Sequence, residues 1–335
     1  MSSSIDIQTC TNILPPFQLI KSINLGYQEE YVFDVTANSQ YGITSASDNF
    51  IRLYDLSTLQ LAQTIPAHEN KISQIKLKSD QYLFSASEDC TLKRWDLRAG
   101  SVPVQCFKYQ KPITAFDINC NDTMAIAGTE LTFDDHAANL AFFDTRQTSL
   151  LHAFNESHGD DITEIKSHPT LAAQFISSST DGLINNYDVT EFDEEEALIS
   201  VVNSGSSVSK AGYFGPEAEY LYCMTHIETF SLHTLEGDLI CDYGDIRNIG
   251  LTQVDYAVDC SYDPISSRFY LITGSNTGTV DFFHVNVGQL QHCQQLSVGD
   301  LGHSDVVRSL FWNHPTQSIL TGGEDGKLCA WQGQA

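Results

Sequence analysis

One spacing recurs through the chain and limits what it can fold into: a turn residue followed six positions later by an aromatic. It runs from Asp48 to Tyr54, Asp89 to Trp95, Asp181 to Tyr187 and Asp325 to Trp331. Looser copies run from Ala137 to Phe143, His226 to Leu232 and Thr277 to Phe283. The seven anchors at 54, 95, 143, 187, 232, 283 and 331 are separated by 41, 48, 44, 45, 51 and 48 residues. Ahead of each turn lies a short apolar run ending in small residues, such as Tyr82-Leu83-Phe84-Ser85-Ala86-Ser87. After it the chain alternates, and Gly, Asn and Asp punctuate the joins, which is strand rather than helix grammar. No window carries a long amphipathic helical stripe. The chain is therefore expected to be all-β and repetitive, one supersecondary unit per period.

Three copies add a histidine 21 to 23 residues upstream of the turn acid: His68 before Asp89, His158 before Asp181 and His303 before Asp325. Four residues before each acid stands a hydroxyl, Ser85, Ser177 and Thr321. With these residues the chain resembles the WD-repeat β-propeller family. The resemblance implies that the histidine, hydroxyl, acid and aromatic form a buried hydrogen-bonded chain tying an inter-blade loop to its own blade. The sets are His68, Ser85, Asp89, Trp95, then His158, Ser177, Asp181, Tyr187, then His303, Thr321, Asp325, Trp331, with Tyr187 in place of Trp. A buried carboxylate needs such donors. A Ser-His-Asp catalytic triad is the competing reading, but a set that recurs three times in one chain is a fold element.

The last copy stops after its third strand, whereas the stretch 17–23 near the N-terminus reads as a strand with no blade of its own. It is expected to complete the C-terminal blade and close a ring, which removes exposed edges. The expectation is a single seven-bladed β-propeller over 1–335, with approximate repeats at 25–65, 66–106, 110–153, 156–202, 205–242, 252–296 and 301–335.

Charge narrows the partners. The chain has 43 Asp+Glu against 17 Lys+Arg, a net of −26, and all but one unit of that excess falls in 112–335. This argues against direct nucleic-acid binding and against an anionic membrane surface, and it suits a basic protein partner of the ribosomal-protein or histone type. No apolar stretch approaches the roughly 18 residues of a membrane span. The N-terminus lacks the basic and apolar regions of a signal peptide. The nine cysteines are an odd number without a CxxC, which fits reduced thiols in the cytoplasm or nucleus. No nucleotide, zincin or nucleophile-elbow motif is present, so no cofactor, metal or catalytic activity is expected, and the chain is expected to be monomeric by itself.

The resemblance also implies which residues share the inter-blade face. These are Glu29, Glu30 and Tyr31; Glu69 and Lys71; Asp160 and Asp161; Asp305 and Arg308; and, beside the turn acids, Glu88 and Glu324. The long turn of the third copy adds Asp134, Asp135 and His136. Such a surface offers charge-assisted pairs to Lys and Arg, with Tyr31 available for cation–π contact. The acidic run 193–196 is expected to be solvated on the opposite face. A second reading uses Arg98 and Arg146: the strings W-D-L-R and F-D-T-R resemble the motif of substrate receptors of cullin-4 ubiquitin ligases, which implies adaptor binding through these arginines.

Overall fold

The computed structural model describes residues 5–25, 31–133, 136–297 and 299–334. They form the seven blades of a β-propeller, each an antiparallel sheet of four strands, one of which carries a fifth strand. The chain packs as two compact units.

Residues 67–242 make one unit. Its second blade of the chain is Ile72–Leu77, Tyr82–Ser87, Thr91–Asp96 and Gln105–Lys108. The third is Ile113–Ile118, Met124–Thr129, Ala138–Asp144 and Leu150–His158. The fourth is Ile162–Ser167, Gln174–Ser179, Leu183–Asp188 and Leu198–Asn203, and the fifth is Val208–Phe214, Tyr220–Thr225, Thr229–Thr234 and Leu239–Asp245. The second strand of a blade is buried almost throughout, which explains its Ser and Ala content: Ser85, Ala86, Ser177 and Ser178 leave room for the packed neighbours. Large apolar groups fill the rest. Phe142 meets Phe154 at 4.8 Å between ring centroids, and Phe175 stacks on Tyr187 at 5.0 Å.

Residues 1–66 and 243–335 make the other unit. Its first blade is Val32–Ala37, Tyr41–Ala46, Phe50–Asp55 and Leu61–Pro66, and its sixth is Tyr256–Asp263, Arg268–Gly274, Val280–Asn286 and Gln289–Leu296. In the seventh, Val307–Asn313, Ser318–Gly323 and Lys327–Gly333 are completed by Phe17–Asn24, antiparallel from Phe17 opposite Gly333 to Asn24 opposite Lys327. The N-terminal strand thus fills the place that the pattern left open. A further strand, Asp6–Thr9, adds in parallel to the outer strand of the sixth blade, and nothing in the sequence announced it.

The turn spacing has a backbone cause. The residue after the turn residue is left-handed in five blades, Asn49, Cys90, Gly182, Gly278 and Gly326 having φ between 65° and 89°, and in the fifth blade the left-handed residue is Glu228, two after His226, at φ 63°. Most side chains tolerate this poorly. At Gly278 a Cβ would also fall 2.4 Å from the His303 carbonyl, so glycine is required there twice over.

Candidate functional site

The inter-blade loops are held by the three acid–histidine sets. His68 Nδ1 lies 2.9 Å from Asp89 and its Nε2 2.7 Å from Ser85 Oγ, which accepts from Trp95 Nε1 at 2.9 Å. His303 repeats this with Asp325 at 3.0 Å and Thr321 at 2.8 Å, and Trp331 donates to Thr321 at 3.0 Å. His158 meets Asp181 at 3.0 Å and Ser177 at 2.8 Å. Tyr187 takes the ring position there, but its hydroxyl accepts from Asn185 Nδ2 at 3.1 Å. Each acid also accepts the backbone N–H of the residue after its histidine, at 2.9 to 3.1 Å.

In the two Trp-containing sets the surroundings shift the histidine in opposite directions. Burial lowers His68, and the Asp89 bond offsets this only in part. Burial also opposes charge on His303, but its bonds to Asp325 and Cys329 overcome it and push the imidazole up to about 9.

Two blades without such a histidine use other partners. In the first, Arg52 Nη1 donates to the turn acid Asp48 at 3.0 Å. In the sixth, fully buried Asp281 meets His292 Nε2 at 2.7 Å and Gln295 at 3.1 Å. Sequence reasoning missed this pair because both residues lie outside the repeat's anchor positions.

The candidate surface residues fall as follows. In the 67–242 unit, Glu69 and Asp160 are exposed on their loops. Lys71 pairs with Glu88 at 3.2 Å. Asp161 accepts the N–H of Leu131 at 2.8 Å. Glu130 joins them: partial burial, then the charges of Asp161 and Glu88, raise its pKa, while Lys71 opposes the rise. Four carboxylates, Glu69, Glu88, Glu130 and Asp161, thus border the loops with Lys71 among them. In the other unit Arg308 pairs with Glu324, exposed Asp305 accepts the N–H of Val306 at 2.8 Å, and Tyr31 is 39% exposed beside Ser47. Glu29, Glu30, Asp134 and Asp135 lie outside the described residues; His136 is exposed.

Apart from Lys71, three lysines of this unit are committed to backbone carbonyls. Residues 67–242 hold 28 Asp+Glu against 11 Lys+Arg. Lys76 donates to the carbonyls of Phe116 at 2.6 Å and Ile165 at 2.9 Å, and lies 3.4 Å from buried Glu164. Burial alone would raise Glu164, but Lys166 and Lys76 hold it down at about 2. Lys78 donates to Asn119 O at 2.6 Å, and Lys93 to Ala67 O at 2.7 Å.

Arg98 and Arg146 do not reach across to other elements in the described contacts. Each folds back on the acid two residues before it, with bonds of 2.8 and 2.9 Å to Asp96 and Asp144, while remaining 60% and 69% exposed. Arg247 clasps Asp245 in the same way without a preceding aromatic, so the clasp braces a turn in its own right. These bonds hold Asp96 and Asp144 at about 2.

The run 193–196 is more than a solvated loop. Asp193 caps the helix Glu194–Ala197. Glu194 accepts the N–H groups of Asn155 and Glu156 at 2.8 and 2.9 Å and the Ser157 hydroxyl at 2.6 Å. Glu195 and Glu196 stay exposed. A run of like acids gives no sign of which member is spent on a neighbouring blade.

Comparison with known proteins agrees with this geometry. The model of the WD domain, G-beta repeat, matches residues 59–96 and 294–332. The chain is 28% identical over 321 residues to WD repeat-containing protein 89 homolog of Dictyostelium discoideum, covering 93% of this chain and 86% of that protein. It is 30% identical over 342 residues to WD repeat-containing protein GTS1 of Arabidopsis thaliana, covering 94% and 84%. An uncharacterized WD repeat-containing protein of Saccharomyces cerevisiae is 27% identical over 332 residues, covering 94% and 82%.

Proposed function

Because the chain belongs to the WD-repeat family of β-propellers, we propose that it is a non-catalytic interaction scaffold that captures a basic protein segment on its acidic inter-blade loops. The observation that carries this reading is the commitment of Lys76, Lys78 and Lys93 to backbone carbonyls and of Lys76 to Glu164, which leaves exposed Glu69 and Asp160, and Glu130 beside them, poorly compensated. Clustered carboxylates lose like-charge repulsion when ammonium or guanidinium groups dock between them, so binding and surface relief are coupled. A Lys/Arg-rich tail of the kind that ribosomal proteins and histones carry has this chemistry.

Reversing Glu69 and Asp160 to Lys is expected to weaken binding of a Lys/Arg-rich peptide by roughly tenfold or more while the far-UV spectrum is unchanged. Asp161 is spared because its side chain supports Leu131. Wild-type binding should also fall steeply as salt rises. Fluorescence anisotropy against salt checks both; salt-insensitive binding, or full binding by the double variant, overturns the reading.

A second reading rests on Arg98 and Arg146, whose guanidinium groups are exposed and held in fixed poses by their aspartates. If these groups dock a cullin-4 adaptor, replacing both with Ala removes the adaptor from a pull-down. Its absence from the wild-type pull-down dismisses the idea.

A further inference from the structure

The third blade contains a local opening that the repeat does not require. Ala138 pairs with His158 and Leu140 with Phe154, so Asn139 alone faces Asn155, Glu156 and Ser157. Such bulges re-aim a side chain and interrupt the ladder. The freed N–H groups of Asn155 and Glu156 are not left to water, because Glu194 accepts both. The bulge is thus braced from the neighbouring blade.

Beside it lies a cleft of about 610 Å³, lined by Tyr109, Lys111, His136, Asn139, Asn155 and Glu156 among others. Asn139 is only 4% exposed. Its Nδ2 donates to Phe154 O and Asn155 Oδ1, but its Oδ1 has no partner among the described residues. A buried acceptor without a donor is costly. The lining of the cleft therefore includes an unsatisfied buried acceptor on Asn139 and the exposed carboxylate of Glu156. Tyr109 forms part of the wall, its ring held edge-on to Phe143 at 6.3 Å. The ammonium of Lys111 turns to the Ala137 carbonyl at 3.4 Å.

We propose that this cleft is an arginine-anchoring subsite, in which a guanidinium donates to Asn139 Oδ1 and to Glu156. The proposal rests on the scaffold reading above and narrows it from general basicity to one residue type. A guanidinium presents five N–H donors in a planar fork, so it can serve two acceptors at different depths and lay its face on a tyrosine ring. A lysine ammonium is a compact point donor, suited to the open carboxylates but not to both acceptors together.

The test uses the full chain with hexa-arginine and hexa-lysine peptides at low salt, read by calorimetry or anisotropy. Wild type should bind hexa-arginine about tenfold tighter than hexa-lysine, the loss of one charge-assisted bond being of that order. Asn139→Leu should abolish the preference and leave hexa-lysine binding unchanged. Glu156→Gln, at an exposed site, should reduce the preference about threefold and serves where Asn139→Leu fails to fold. Equal binding of both peptides by wild type, or a preference that survives both substitutions, overturns the subsite and leaves the acidic-loop reading intact. Binding of neither peptide overturns both.

Discussion

Removing residues 1–24 should leave a chain that aggregates as it folds, seen as high-mass species in size-exclusion chromatography with light scattering. The truncation strips the outer strand from the seventh blade and bares the backbone of Lys327–Gly333 from Gly333 to Lys327. An unpaired edge of this kind templates pairing with other chains. It also removes Phe17, 7% exposed, which stacks on Phe282 at 6.1 Å and meets Trp312 edge-on at 5.8 Å. Losing a buried Phe alone costs about 3–5 kcal/mol. Removing only residues 1–10 takes away the parallel strand Asp6–Thr9, which is mostly exposed, and should cost far less. A 1–24 truncation that stays dispersed and melts like the full chain would refute this account of the seventh blade.

Replacing Asp325 with Ala should destabilise the chain by roughly 3–5 kcal/mol, because it removes the acceptor facing the buried His303 imidazole and breaks the tie of the inter-blade loop to its blade. The melting temperature should drop on the order of 10 °C. The Asp325 side chain is 6% exposed and accepts from His303, from Ser304 N–H at 2.9 Å and from Lys327 N–H at 3.1 Å. The pH dependence has a definite sign. His303 is raised from an ordinary value of 6.5 to about 9, so its contribution is complete below 6.5 and is lost as pH climbs through about 9. Asp325 is lowered from 3.8, despite burial, by its bond to His303, so its contribution is present above 3.8 and is lost as pH falls through its lowered value. The stability gap between wild type and Asp325→Ala should therefore be widest between about pH 4 and 6.5 and narrow on both sides. Denaturant titrations across that range check it; a gap that widens toward pH 9 contradicts the ionic pairing. Exposed Asp305→Ala should change stability by less than about 0.5 kcal/mol.

The sequence disclosed what the blades repeat and hid what they do once. Asp89, Asp325 and the strand 17–23 were legible because each recurs at, or is missing from, a fixed period. Asp6–Thr9 was not, since four mostly exposed residues in a parallel pair leave no alternation to read. Asp281 and His292 were invisible as a pair because their partnership crosses two strands off the anchor positions. The candidate surface was half legible. Acid excess could be counted, but the pairing of Lys71 with Glu88 and of Arg308 with Glu324, the support of Leu131 by Asp161 and the burial of Lys76 depend on folding. The bulge at Asn139 has no local signature, because one residue opposes three only when Glu194 is there to take the freed amides.

The pairing of Phe17–Asn24 with Lys327–Gly333 also sets a clock. The first of these strands leaves the ribosome about 300 residues before the second. At roughly 5–20 residues per second it must wait some 15–60 s for its partner. During that time Phe17 and Leu19 lack their neighbours on Lys327–Gly333, and the seventh blade cannot be finished until that strand has emerged. Completion of that blade therefore waits on the emergence of Lys327–Gly333, and a nascent chain stalled anywhere before residue 327 carries an unmatched strand.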